Sequence, residues 1–294
     1  VLEQLRRSQR KPRIPRTAAN LSAPRTIERQ FERVLIGIVE GLAREIRRSI
    51  IPNLPSFVEE IKAERPRSDS FYRVDQSVAQ KLAQLILATR IGFDGAFSEQ
   101  EIEAQIRDQG FVLEGANSVK IAQMFRSVLG VNIFLEEPWL ENTMGNYALE
   151  SAGLIKNVTE EFIAQTQRTV MNGLQQGLRH EEIAKQILGT SKDLEGKVSN
   201  LRKAKNRARL IARDQMNKLN GKLTELRQKE AGLEKYRWNT VGDDRVRPDH
   251  ARVDGEVFSW NSNTSESGKS KPKGHLNPGQ DINCRCYAEP IFDV

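Results

Sequence analysis

The sequence predicts a mainly α protein: an extended helical N-terminal region followed by a small α+β C-terminal module. Apolar residues recur at helical spacing from about residue 26 to about residue 230. No strand pattern of note appears before about residue 235, and short aromatic and β-branched runs follow it. The composition agrees. With 294 residues there is chain for about two domains, while 38% hydrophobic and 29% charged residues suit an elongated, well-solvated helical body.

The elements follow in order. Residues 1–25 form a basic arm in which Arg6, Arg7, Arg10, Lys11, Arg13, Arg16 and Arg25 face a single acid, Glu3. Pro12, Pro15 and Pro24 forbid a continuous helix there, so the arm is expected to be flexible, or to order against a partner or nucleic acid. Ile27, Phe31, Val34, Leu35, Ile38, Val39, Leu42, Ile46 and Ile50 then mark one apolar helix face, ended by Pro52 and Pro55. Further helical patterns run near 56–64 and through "SVAQKLAQLILATRIGF". Ser98 and Glu101 form a capping box for the next helix, which Gly110 is expected to stop. Helices are also expected near 117–129 and 137–155, completing a helical domain over residues 26–155.

The second domain, 156–294, opens with a helix capped by Thr159 and closed by Gly177. "RHEEIAKQIL" starts another, with His180 expected as a helix-start residue without chemistry. A long helix follows, capped by Ser199 and terminated at Gly232. Its Leu and Ala positions form a buried side, and its Lys- and Arg-rich face is expected to be solvated or to lie on nucleic acid. The β module spans 233–294, with strands in "KYRWNTV", "GEVFSW" and "INCRCYAEPIF" around turn-rich polar stretches. About 60 residues cannot build much core alone.

That module holds both cysteines of the chain, Cys284 and Cys286. Disulfide geometry is hard to meet across one intervening residue, so the pair is not expected to be a staple, and a reducing compartment follows. With His250 and His275 the cysteines make a donor set of a type that suits tetrahedral zinc, closed and structural. The competing reading is two small side chains on one face of a strand. Asp243, Asp244, His250 and Asp254, joined by His275 and Asn277, also raise a metal-dependent nuclease, although no general base stands out by spacing. The net charge of +7 leaves a free DNA-binding protein as a further alternative. No apolar run approaches the roughly 20 residues that span a bilayer, so no membrane partner is expected.

The run "YRWNTVGDDRVRPDHARVDGEVFSW", followed by "NPGQDINCRCYAEP", resembles the phage minor head proteins of the Mu F-like head-morphogenesis family. The matching positions are Trp238, Thr240, Asp243 or Asp244, Arg247, His250, Asp254, Gly255, Phe258, Pro278, Gly279, Asn283, Cys284, Arg285, Cys286 and Pro290. In the preceding helix, Arg213 and Asp214 match an Arg followed by an acid. The resemblance covers roughly 160–294. Some relatives carry a His just before Cys-Arg-Cys, whereas His275 lies further away here. The resemblance implies a non-enzymatic minor capsid protein acting in head morphogenesis at the portal vertex. Its partners would be the portal protein, the major capsid or scaffold protein and packaged double-stranded DNA. It would reside in the virion, and in the host cytoplasm during assembly. On this reading Arg213 and Asp214 form an ion pair tying the long helix to the module. Arg247 and Arg285 satisfy Asp243, Asp244 or Asp254.

Overall fold

A computed structural model describes residues 20–63, 76–130, 135–189 and 198–292. Among these the fold is mainly α with one small antiparallel sheet near the C-terminus, as the sequence predicts. The helices are α1 (Arg25–Ser49), α2 (Leu54–Ala63), α3 (Gln76–Ala96), α4 (Glu99–Leu129), α5 (Leu140–Gln175), α6 (His180–Leu188) and α7 (Asn200–Glu230). Strand β1 (Lys235–Asn239), the short helix α8 (Pro248–Ala251), β2 (Val257–Ser259) and β3 (Tyr287–Pro290) complete the order.

Local signals set most boundaries. A 3-10 turn over Ile51–Asn53 separates α1 from α2, and Pro55 sits in the first turn of α2, where a missing N–H is harmless. The Ser98 amide donates to Glu101 Oε2 at 3.0 Å and the Glu101 amide to Ser98 Oγ at 3.3 Å, the expected capping box. Gly177 (φ 69°) ends α5 by letting the Leu178 amide reach Gly173 O at 2.9 Å. Ser199 caps α7, and Gly232 (φ 81°) terminates it. His180 is the first residue of α6 and pairs with Glu181 at 3.1 Å.

Two expected breaks are absent. Helix α4 runs straight through Gly110, whose bare Cα faces Tyr147; a Cβ there would lie 3.0 Å from the ring. Helix α5 is continuous through Thr159, whose hydroxyl donates back to Lys156 O at 2.8 Å instead of capping. A third expectation also changes. The last strand begins only at Tyr287, so both cysteines lie in the turn that leads into it.

The chain divides into two compact units, each assembled from segments distant in sequence. Among the described residues, one lies within the bounds 20–31, 107–148 and 212–292, the other within 32–106 and 149–211. Residues 1–19 of the expected basic arm lie outside the described residues. Its end packs onto the fold: Leu21 is buried with Ile121, Met124, Phe125 and Leu233. Asn220 Nδ2 donates to Leu21 O at 2.7 Å and Lys120 Nζ to Ser22 O at 2.8 Å. In the other unit, the apolar face of α1 is buried at Leu35, Ile38, Val39, Leu42 and Ile46. There Lys205 and Arg209 of α7 pair with Glu40 and Glu32, so part of the basic face of α7 is engaged in internal ion pairs.

The sheet has the order β2-β1-β3, both pairings antiparallel. Tyr236 faces Phe258 and Trp238 faces Ala288 across the ladders. Tyr236, Trp238, Val253, Phe258, Trp260, Ala288 and both cysteines form one buried cluster. This cluster supplies the core the short module lacks by length alone, and it seats the cysteine turn.

Helix α7 meets that turn at two glycines. A Cβ at Gly221 would lie 2.7 Å from Pro278 O, and one at Gly279 (φ 87°) 3.0 Å from Asn217 O. Gly221→Ala gains about 1 kcal/mol of helix propensity. It also forces a backbone shift of the kind that costs about 1–3 kcal/mol. The expected result is a net loss of stability, read as a lower urea midpoint. A higher midpoint would show that the 278–279 turn yields freely.

Candidate metal centre

Three side chains converge beneath the sheet. Arg247 begins α8 in an extended conformation and Pro248 opens the helical turn, which brings His250 inward to 2% exposure. The turn before β3 reverses at Asn283 (φ 53°), which leaves Cys284 and Cys286 both pointing into the cluster. His250 Nδ1 lies 3.4 Å from each sulfur. The Cys286 amide donates to Cys284 Sγ at 3.4 Å. Both thiols are free.

The ring's other nitrogen lies near a carboxylate without an aligned hydrogen bond to it. His250 Nε2 faces Asp281 Oδ2 at 3.3 Å. Burial raises the Asp281 pKa, but Lys273 at 2.5 Å, the Ile282 amide at 2.8 Å and Arg247 at 3.2 Å outweigh it and hold the carboxyl below its usual value. Trp238 stands edge-on to the imidazole, its centroid 5.6 Å away. The hydrogen bond from Cys286, helped by His250 and opposed by burial, brings the Cys284 thiol down to about 5. That same bond, with burial, pushes Cys286 up. Burial would lower the His250 pKa, yet Cys284, Asp249 and Asp281 hold it above the ordinary imidazole value.

The donor set suits a soft divalent ion. The three ligand atoms lie within 4.8 Å of one another, all buried. Tetrahedral zinc separates N and S donors by about 3.6 Å, given its usual bond lengths. The Asp281 carboxylate stands where the outer partner of a metal-bound His usually stands, on the side of the imidazole away from the sulfurs. His275 lies elsewhere: it is exposed, and its Nδ1 is 2.9 Å from Lys273 O. Among the described residues no fourth His, Cys, Asp or Glu joins the group.

Neighbouring residues read from sequence take other roles. Arg213 and Asp214 do not pair with each other. Arg213 binds Glu28 at 3.1 Å, while Asp214 Oδ1 accepts the Asn283 amide at 2.7 Å and so ties α7 to the cysteine turn. Arg285 pairs with Asp243 at 2.6 Å as expected, but Arg247 binds Asp281, not Asp243, Asp244 or Asp254. Asp254 accepts the Thr240 amide at 2.7 Å, and Asn277 receives Tyr236 and Lys271. The groups proposed for a nuclease are thus bound separately and do not converge. Asp281 and Arg245 escaped the sequence reading, and only proximity to "NCRC" could have drawn attention to Asp281.

Residues 164–289 match the family model described as Phage Mu protein F like protein. An uncharacterized protein of Haemophilus influenzae is 30% identical over 201 residues, covering 67% of this chain and 41% of that protein. An uncharacterized protein of Methanocaldococcus jannaschii is 29% identical over 137 residues, covering 47% of this chain and 19% of its own. The chain thus spans less than half the length of these curated relatives. No solved structure matches. The family match takes in α7, the sheet, α8 and the cysteine turn, so residues 164–289, the C-terminal part of the chain, are similar to the Phage Mu protein F like family.

Proposed function

We propose that the chain is a minor head protein of a tailed phage, acting in head morphogenesis at the portal vertex and residing in the virion. The family match carries this reading. Its partners would be the portal protein, the major capsid or scaffold protein and packaged double-stranded DNA. Two features of the chain support the assignment. Leu87 and Ile91 on α3 are large apolar side chains at 58% and 64% exposure, suited to docking on another protein. Asp243, Asp254 and Asn277, raised for a nuclease, each bind separate partners, which favours assembly over metal-dependent cleavage. No helix of the described residues is long and apolar enough to cross a membrane. In the module, His250, Cys284 and Cys286 would hold one zinc ion as a clasp between α8 and the turn before β3.

A tagged chain, expressed during phage growth, should sediment with purified heads in few copies per particle and should leave plasmid DNA uncut with added divalent metal. Absence from heads would overturn the proposal. Metal-dependent cleavage that His250→Ala abolishes would replace it with the nuclease reading. Duplex binding by the free chain that weakens steeply with salt, without head association, would favour a free DNA-binding protein.

A further inference from the structure

The clasp is incomplete in a specific direction. Three donors leave a tetrahedral ion one ligand short. Asp281 lies on the far side of the imidazole, at Nε2, and so serves the ring and not the ion. His250, Cys284 and Cys286 all line a cavity of about 150 Å³. Its remaining walls are Arg213, Arg245, Arg247, Arg285, Asn283 and two valines; no acid lines it. Three of the guanidiniums are positioned by carboxylates that lie outside the lining: Glu28 for Arg213, Asp281 for Arg247 and Asp243 for Arg285. Arg245 is exposed and forms no ion pair among the described residues, although its charge helps hold the Asp243 carboxyl below its usual value. Asn283 Oδ1, a buried acceptor, has no hydrogen-bond partner.

We propose that a zinc ion held by His250, Cys284 and Cys286 keeps its fourth position open to this cavity and takes a phosphate oxyanion there. The inference rests on the metal reading above and extends it from a closed clasp to a binding site. Four arginines in the lining, one of them outside any ion pair, suit the charge and several oxygens of a phosphate better than the single charge of a carboxylate. The O–H of a monohydrogen phosphate supplies the donor that Asn283 Oδ1 lacks. The shared chemistry is a phosphate with free oxygens, either inorganic or at the end of a nucleic acid strand.

The full chain loaded with cobalt(II) in place of zinc reports the coordination directly through its visible absorption band. Inorganic phosphate should shift that band saturably. Arg245→Ala should take up the same amount of cobalt and weaken the phosphate shift about tenfold, as expected for the loss of one charge-assisted hydrogen bond. A 5′-phosphorylated oligonucleotide that shifts the band, where its unphosphorylated twin does not, would make a strand end the source. A shift with inorganic phosphate alone would make the free ion the source. Cobalt bound with a band indifferent to phosphate would overturn the open site and leave the clasp standing. A band altered by His275→Ala would overturn it too, by showing a closed four-ligand site. Failure to bind cobalt would remove both the clasp and the inference.

Discussion

Arg227→Met should cost about 3–5 kcal/mol of stability, the range found when one partner of a buried ion pair is removed. Arg227 of α7 is 1% exposed. Its Nε donates to Glu137 Oε1 at 2.6 Å and one terminal nitrogen to Glu137 Oε2 at 2.9 Å; that nitrogen also binds Glu114. The other terminal nitrogen donates to Asn117 Oδ1 at 2.7 Å, and Asn117 in turn donates to Asn220 and Thr224 of α7. Met fills a similar volume but leaves two carboxylates, 18% and 15% exposed at their side chains, without a counter-charge. It also frees Glu137, whose φ of 49° is a conformation that needs an external hold. Arg227→Lys should also be costly, because an ammonium cannot span both carboxylates and the amide. Adding Glu114→Gln and Glu137→Gln to the Met variant should recover part of the loss. Urea unfolding measures all of these. A loss below about 1 kcal/mol for Arg227→Met would show that water reaches the carboxylates and that the network contributes little.

Legibility in the sequence followed the range of the interaction. Caps and terminators at Ser98, Gly177, Ser199 and Gly232 were readable because each acts on its own helical turn. Gly110 and Thr159 look the same locally and mean something else. Gly110 is small because Tyr147 lies over it, a contact between residues 37 apart that no local pattern reveals. Thr159 turns its hydroxyl back into the helix. The proposed pairing of Arg213 with Asp214 failed for a geometric reason: successive helix residues point in different directions and do not face each other. At the site, donor chemistry alone singled out His250, Cys284 and Cys286. It also added His275, because residue type carries no information about where a loop goes. Asp281 and the arginine wall belong to the tertiary fold. They became visible only once the turn before β3 was placed against α7 and α8.

Cys284→Ser should abolish stoichiometric metal binding and lower the melting temperature of the purified chain by about 8 °C or more. An ion present at about 1,000 times its dissociation constant stabilises the folded state by about 4 kcal/mol. In a chain of this size each kcal/mol shifts the midpoint by about 2 °C or a little more. Wild-type protein treated with a chelator should melt near the variant, because Ser keeps the shape of Cys with a slightly smaller atom and loses chiefly the ligand. His250→Ala should behave alike, whereas His275→Ala should keep both metal and midpoint. Elemental analysis should find about one zinc per wild-type chain. The clasp has leverage because His250 and the cysteines bracket β2 and the whole polar stretch to the last strand, where among the described residues only Val253, Phe258 and Trp260 join the buried cluster between them. Because the site exists only in the folded chain, the binding free energy of the ion adds to folding, which a strand-face packing role for two thiols would not supply. A wild-type chain that contains no metal and melts identically with and without chelator would therefore sink the clasp. Cys284 and Cys286 would then stand as packing residues beside Trp238 and Phe258, and the head-protein proposal would rest on the family match alone.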